Sequence, residues 1–262
     1  MARHCFEWRS RLIESAQDRR VLRITLNRPE KRNALNLPLC HELVDAFDKA
    51  DADRSVGAIV LNANGPAFCA GMDLKETVDV DQIELAGIHE RLFTNIHRIH
   101  TPVIAAVHGA ALAGGTGLAA NAHIVIANEN ARFGLTEVRI GLWPVLIFRA
   151  VEHAMGERRT VELSLTGREF SAAEALDYGL VTEIAGDPLK RATDLAIQLA
   201  KYSPIAIAEG LSYVHQIRGR DWEHAGRLGR EIRDRLLSND DFKEGSRAFL
   251  EKRPPVWPSL KT

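Results

Sequence analysis

The stretch Thr101-Pro-Val-Ile-Ala-Ala-Val-His-Gly-Ala-Ala-Leu-Ala-Gly-Gly-Thr-Gly117 limits the chain most. Val103–Val107 reads as a buried strand that passes into small residues and glycines. With the bulk removed, backbone can come close to other atoms, and N–H groups point where a side chain would screen them. Two readings fit this pattern: a backbone anion site beside an apolar strand, or tight packing of a helix on a sheet. Residues 101–128 carry no Asp, Glu, Lys or Arg, a length that raises a membrane span. Four glycines, two histidines and several Asn and Thr make the run only mildly apolar, so it is expected to divide into strand, small-residue helix and strand.

The flanking sequence alternates between strand and helix patterns. Residues 20–27 alternate and are rich in branched side chains, which predicts a strand stopped by Arg28-Pro29. Asn36 can cap a helix whose Leu39, Leu43, Phe47 and Ala50 recur at helical spacing. Residues 58–61 form a second expected strand, closed by the turn Asn62-Ala-Asn-Gly65. Residues 67–74 again gather small side chains around a glycine. Residues 81–99 predict an amphipathic helix with Ile83, Ala86, Ile88, Leu92, Ile96 and Ile99 inward. A short helix at 118–122, a strand at 123–127 and a brief extended piece at 131–133 follow. From about residue 145 the pattern turns helical. Ser171-Ala-Ala-Glu174 forms a capping box, Asp187-Pro188 opens a helix, and helices near 203–217, 221–237 and 240–252 close the chain.

Alternation of this kind implies an α/β fold with a mostly parallel sheet and helical crossovers. The composition shifts near residue 185, dividing a strand-and-helix part, 1–185, from a helical part, 186–262. The turns Ala70-Gly-Met72 and Ala113-Gly-Gly115 each follow an apolar strand, and are expected to bring two sources of backbone N–H together.

Several function classes fall away. The 262 residues are 45% hydrophobic and 26% charged with a net charge of −1, so no global field attracts nucleic acid or an acidic membrane. Cys5, Cys40 and Cys69 are too few and too scattered for a disulfide scaffold or a zinc cluster, which fits a reducing, cytoplasmic setting. The first twenty residues mix arginines with acids around no apolar core, so no signal peptide is expected. Neither a G-x-S-x-G elbow nor a phosphate-binding P-loop occurs. Gly115-Thr-Gly117-Leu-Ala-Ala120 matches the loose dinucleotide pattern, but about five residues separate it from the strand and no acid closes the next one. His89, His97 and His100 lie on or near one helix without partners at metal-ligand spacing, so they are expected to be surface or structural residues, with no metal.

Five segments carry a resemblance: Leu26-Asn-Arg-Pro-Glu-Lys-Arg-Asn-Ala-Leu-Asn36, Phe68-Cys-Ala-Gly-Met-Asp-Leu74, Ala111-Leu-Ala-Gly-Gly-Thr-Gly117, Phe133-Gly-Leu-Thr-Glu137 and Gly245-Ser-Arg-Ala-Phe-Leu-Glu-Lys-Arg253. In this order and spacing the chain resembles the crotonase, or enoyl-CoA hydratase/isomerase, superfamily. The resemblance implies a spiral of repeated ββα units and a C-terminal helical region used to build a homotrimer or a dimer of trimers. It implies an acyl-CoA thioester as substrate, with coenzyme A part of that substrate and no separate cofactor. It places the thioester carbonyl between the N–H groups of Met72 and Gly114. Less directly, it puts Arg28, Lys31 and Ala34 at the nucleotide and pantetheine, and Ala70, Asp73 and Leu74 beside the acyl thioester. Phe249 and Lys252 fall at the adenine and phosphates, in some cases those of a neighbouring subunit. Lys31 and Lys252 also read as plain solvated charges, and Cys69 as packing.

One departure bears on the chemistry. Hydratases of this family with two carboxylates hold one Glu three residues after the second oxyanion glycine and another in the F-G-x-x-E piece. Here the first position is Gly117 and the second is Glu137. One carboxylate can move a proton from one carbon to another, whereas syn addition of water benefits from two. Three readings stay open: an isomerase using Glu137 alone, a hydratase with a substitute second acid, and an acyl-CoA binder without turnover. A salt-bridged loop residue, with Arg139 as partner, is the alternative for Glu137. After Gly141, Leu142-Trp-Pro-Val-Leu-Ile-Phe148 replaces a glycine-rich stretch and is expected to wall an apolar acyl pocket, with Trp143 in contact with substrate.

Overall fold

The structure is a computed structural model that describes residues 8–9, 12–75, 80–95 and 97–260. In chain order it begins with β1 (Trp8–Arg9), β2 (Ile13–Asp18), β3 (Val21–Leu26), α1 (Leu37–Ala52), β4 (Ala58–Ala63), β5 (Ala67–Cys69) and α2 (Gln82–Asn95). Next come β6 (Val103–Val107), β7 (Ala110–Leu112), α3 (Gly114–Ala120), β8 (Ile124–Ala127), β9 (Arg132–Gly134) and α4 (Val145–Met155). Then follow α5 (Glu157–Thr166), β10 (Glu169–Ser171), α6 (Ala172–Asp177) and β11 (Glu183–Ile184). The chain closes with α7 (Pro188–Leu199), α8 (Pro204–Ile217), α9 (Trp222–Ser238) and α10 (Asp240–Leu250).

The strands form two sheets, in the orders β1-β2-β3-β4-β6-β8-β11 and β10-β9-β7-β5. Pairing is parallel from β3 through β11 in the first and among β5, β7 and β9 in the second; the edge pairs β1/β2, β2/β3 and β9/β10 are antiparallel. Three times the chain runs a strand through the large sheet, turns a corner into the small sheet, and leaves by a helix: β4-β5-α2, β6-β7-α3 and β8-β9-α4. This is the ββα spiral.

The sequence pattern suggested one parallel sheet; the corner strands β5, β7 and β9, with β10, supply the second. Each is three residues long, too short for alternation to show, and β5 and β7 sit among alanines. The apparent gap between Val107 and the glycines is filled by β7.

Both faces of the large sheet are buried, as its near-continuous apolar strands require. On one face Ile59, Leu61, Val103, Ala105, Val107 and Val125 join Leu39, Leu43 and Phe47 of α1 in the main core. On the other, Ala58, Val60, Ile104, Ala106 and Ile126 meet Ala192 and Ala196 of α7. Thus α7, which follows the composition shift at 185, still packs on the sheet, and α8 to α10 continue beyond it. Asn36 caps α1 by accepting from Leu39 N–H, and the Ser171 capping box is formed with both bonds.

The phase of α2 corrects the expected stripe. Its buried residues are Leu85, Ile88, His89, Leu92 and Phe93, whereas Ile83 is 85% exposed and Ala86 is exposed. The spacing i, i+3, i+4, i+7, i+8 is the better helical period. Ile96 and Cys5 lie outside the described residues.

Candidate active site

The polar segment after β3 folds around its own side chains. Asn33 accepts from Arg28 N–H (2.8 Å) and donates to the carbonyls of Asn64 (2.9 Å) and Ala67 (2.8 Å). The buried Arg28 guanidinium donates to Ala34 C=O (3.0 Å) and to Asp73 Oδ2 (2.6 Å), an ion pair with both side chains under 10% exposed. These bonds set Leu35 in a parallel bridge with Met72: Leu35 N–H donates to Gly71 C=O (2.7 Å) and Asp73 N–H to Leu35 C=O (2.9 Å).

The second glycine turn abuts the first. Gly71 adopts φ +90°, and a Cβ there would stand 2.9 Å from Ala113 Cβ and 3.4 Å from Gly114 N. Ala113, at the N-cap of α3, holds φ 48° and ψ −119°, a conformation that costs a non-glycine residue and tends to persist at functional turns. A Cβ on Gly115 would overlap the Cys69 carbonyl oxygen, so α3 can begin directly on β5 only with glycine there. Thr116 locks the start of α3 by donating to Ala111 C=O (2.7 Å) and accepting from Gly134 N–H (3.1 Å). Ala113 N–H is used by Gly134 C=O (2.8 Å). The N–H groups of Met72 and Gly114 lie outside the loop and cap bonds of these turns among the described residues. The glycine stretch is thus closely packed, and Met72 and Gly114 border a cavity.

That cavity, about 280 Å³, is bordered by Ala70, Met72, Leu74, Gly114, Glu137 and Trp143, drawn together from three separated segments. The stretch Leu142–Ile147 forms its wall, without Phe148. Asp73 is not on that border but is buried against Arg28. Ala34 is half-buried and Lys31 exposed. Phe249 is 82% exposed and borders a different hollow beside Trp257, and Lys252 is exposed. A larger hollow of about 400 Å³ between Asp51, Arg20 and α8 contains none of these residues.

Glu137 opens a 3-10 turn, Glu137–Ile140, closed by Gly141 at φ 78°. Its Oε2 is buried and has no hydrogen-bond partner, and no ion pair joins it to Arg139, among the described residues. Loss of water around it pushes its carboxyl up to about 7, against a small opposing hydrogen bond from its own backbone. A Cβ on Gly117 would overlap Ile147 Cγ2 and stand 3.1 Å from Phe93 Cε1. The space beside Gly117 is filled by these apolar side chains. Burial pushes the Cys69 thiol up to about 12, which makes it packing rather than nucleophile.

His97 and His100 take structural contacts, with Arg218 (2.9 Å) and Asp51 (3.4 Å). His89 does not: it is 7% exposed, borders the cavity, and its Nε2 is buried without a partner among the described residues. Leu35, Phe93 and Thr136 also border the cavity and were not singled out from the sequence. The corrected period of α2 is the signal that places His89 and Phe93 inward.

Residues 16–260 match the enoyl-CoA hydratase/isomerase family. Among curated relatives, 2,3-dehydroadipyl-CoA hydratase of Escherichia coli is 34% identical over 250 residues, covering 94% of this chain and 98% of that protein. A trans-2-decenoyl-acyl-carrier-protein isomerase of Streptococcus mutans is 32% identical over 252 residues, covering 91% and 94%. The crystal structure of an enoyl-CoA hydratase of Mycobacterium smegmatis superposes with a TM-score of 0.88 at 32% identity, over 94% of this chain and 98% of that one. The chain is an enzyme of the enoyl-CoA hydratase/isomerase family.

Proposed function

We propose that the enzyme shifts the double bond of a 3-enoyl-CoA to the 2-position, with Glu137 as its single acid and base. The Glu137 carboxylate takes a proton from C2. The C2–H electron pair delocalises onto the thioester oxygen as an enolate, and the N–H groups of Met72 and Gly114 receive that charge. Return of the proton from Glu137 to C4 moves the double bond from C3–C4 to C2–C3, and nothing is gained or lost. Two fixed donors that strengthen as charge develops would contribute on the order of 3–4 kcal/mol each to the transition state.

The observation that carries this reading is the space beside Gly117 filled by Ile147 and Phe93, together with a half-buried Glu137 whose Oε2 has no partner among the described residues. A carboxyl raised to about 7 is matched to taking and returning a proton near neutral pH. Exposed Lys31 and Lys252 are assigned to the coenzyme A phosphates and Phe249 to its adenine, with the C-terminal helices building a homotrimer or a dimer of trimers. Arg28 serves the site through Asp73 and Ala34. A reducing, cytoplasmic setting goes with the free, buried thiols of Cys40 and Cys69. No helix among the described residues is long and apolar enough to cross a membrane.

A second reading, water addition to a 2-enoyl-CoA, is favoured by the relatives named as hydratases. Separate incubations with 3-enoyl-CoA and 2-enoyl-CoA distinguish the two. We expect positional shift without hydration, and a Glu137→Gln variant whose turnover falls about 10²–10⁴-fold while thioester binding is kept. Hydration lost in the same variant would replace the first reading with the second. Binding without turnover of either thioester would leave an acyl-CoA binder.

A further inference from the structure

Given an enoyl thioester in this cavity, we propose that His89 selects acyl groups bearing a neutral oxygen, a hydroxyl or a carbonyl, along the chain. Most of the cavity wall is hydrocarbon or aromatic. Two residues of its border, Glu137 and His89, each hold a buried side-chain atom, Oε2 and Nε2, that has no partner among the described residues. Glu137 is accounted for by proton transfer, whereas His89 is not. Buried polar atoms in folded proteins are nearly always paired, so an orphan at a ligand cavity points to a partner carried by the ligand.

Geometry locates that partner along the acyl group. Phe93 Cζ stands 3.3 Å from where a Cβ on Gly114 would be, so the Phe93 ring borders the amide assigned to the thioester carbonyl. His89 is one helical turn earlier on α2, its ring 6.1 Å from that of Phe93 and tilted by 48°. The imidazole therefore lies one ring beyond the carbonyl seat. Burial lowers its basicity and keeps it neutral, against an anionic group and in favour of a neutral one. The Nε2 atom then either donates to a carbonyl or hydroxyl oxygen or accepts from a hydroxyl, according to tautomer.

The test compares kcat/KM for three 3-enoyl-CoA thioesters of equal chain length: a hydrocarbon tail, the same tail with a hydroxyl or keto group, and a terminal carboxylate. Wild type is expected to favour the oxygenated neutral thioester over the hydrocarbon by about 10- to 100-fold, the cost of leaving a buried polar group unpaired. In His89→Phe that ratio should fall to about one, while His89→Asn retains part of it. Circular dichroism and thermal melting establish that both variants are folded. An unchanged ratio in His89→Phe, or a wild type that favours the hydrocarbon or the carboxylate, overturns the proposal. If no thioester is turned over, the isomerase reading has failed on its own. Calorimetric binding of the corresponding saturated acyl-CoA thioesters then decides: a preference for the neutral oxygen that disappears in His89→Phe upholds the role of His89, and equal binding overturns it.

Discussion

Asp73 and Glu137 are two carboxylates at one site held in opposite ways. Asp73 is buried against the Arg28 guanidinium at 2.6 Å, and its chain neighbours Met72 and Leu74 border the cavity. Glu137 is half-buried at the border itself, with one oxygen stranded. The first is a fixed charge whose partner also ties Ala34, so it holds the Leu35–Met72 bridge in place. The second carries a standing cost that a proton relieves. A paired carboxylate belongs to the framework, and an unpaired one is free to exchange protons.

The same small change, carboxylate to amide, should move the two in opposite directions. Asp73→Asn leaves the Arg28 charge buried and should lower unfolding free energy by about 3 kcal/mol, the low end for a broken buried pair because an amide oxygen still accepts. Chemical denaturation measures this, and a loss below about 1 kcal/mol would remove the contrast. Glu137→Gln should instead stabilise the fold at pH 8 by on the order of 1–3 kcal/mol. The sign follows from the raised carboxyl. Between the ordinary Glu range near 4.3 and about 7, the native protein holds a proton that the unfolded chain has released. Native stability therefore falls as pH rises through that window. The gain of the variant should be complete above pH 7 and absent near pH 4, which melting curves across pH will show. A gain independent of pH would mean that burial of the charge is not its source.

The smallest effect sharpens the view of Glu137 as a lone carboxylate. Gly117→Ala forces a methyl into Ile147 and should cost about 1 kcal/mol, the overpacking penalty less the better helix propensity of Ala. A double-mutant cycle with Ile147→Ala should show a favourable coupling of about 0.5–1.5 kcal/mol. Strict additivity would mean that Ile147 does not occupy that space.

Much of this was legible in order along the chain. Apolar runs announced β3, β4, β6 and β8; the caps at Asn36, Ser171 and Asp187 fell where read; and two glycine turns were expected to meet. The second sheet was not legible, because three-residue strands of small side chains carry no period. Nor was the facing of α2, where Ile83 drew the stripe outward although the Leu85 to Phe93 spacing is stricter. Arg28 read as a ligand contact, and no one-dimensional pattern tells that its charge is met by Asp73, 45 residues away.

By itself the sequence determined which backbone could be bared and which acid was present: glycines at 71, 114, 115 and 117, and Glu137 without a counterpart. Those are properties of residue type, and local sterics fix them. Only the tertiary structure decided what surrounds them: Ile147 in the space beside Gly117, Asp73 against Arg28, and His89 and Glu137 stranded at one cavity. Burial and pairing depend on neighbours far along the chain, and those neighbours determine whether a polar group is framework or chemistry.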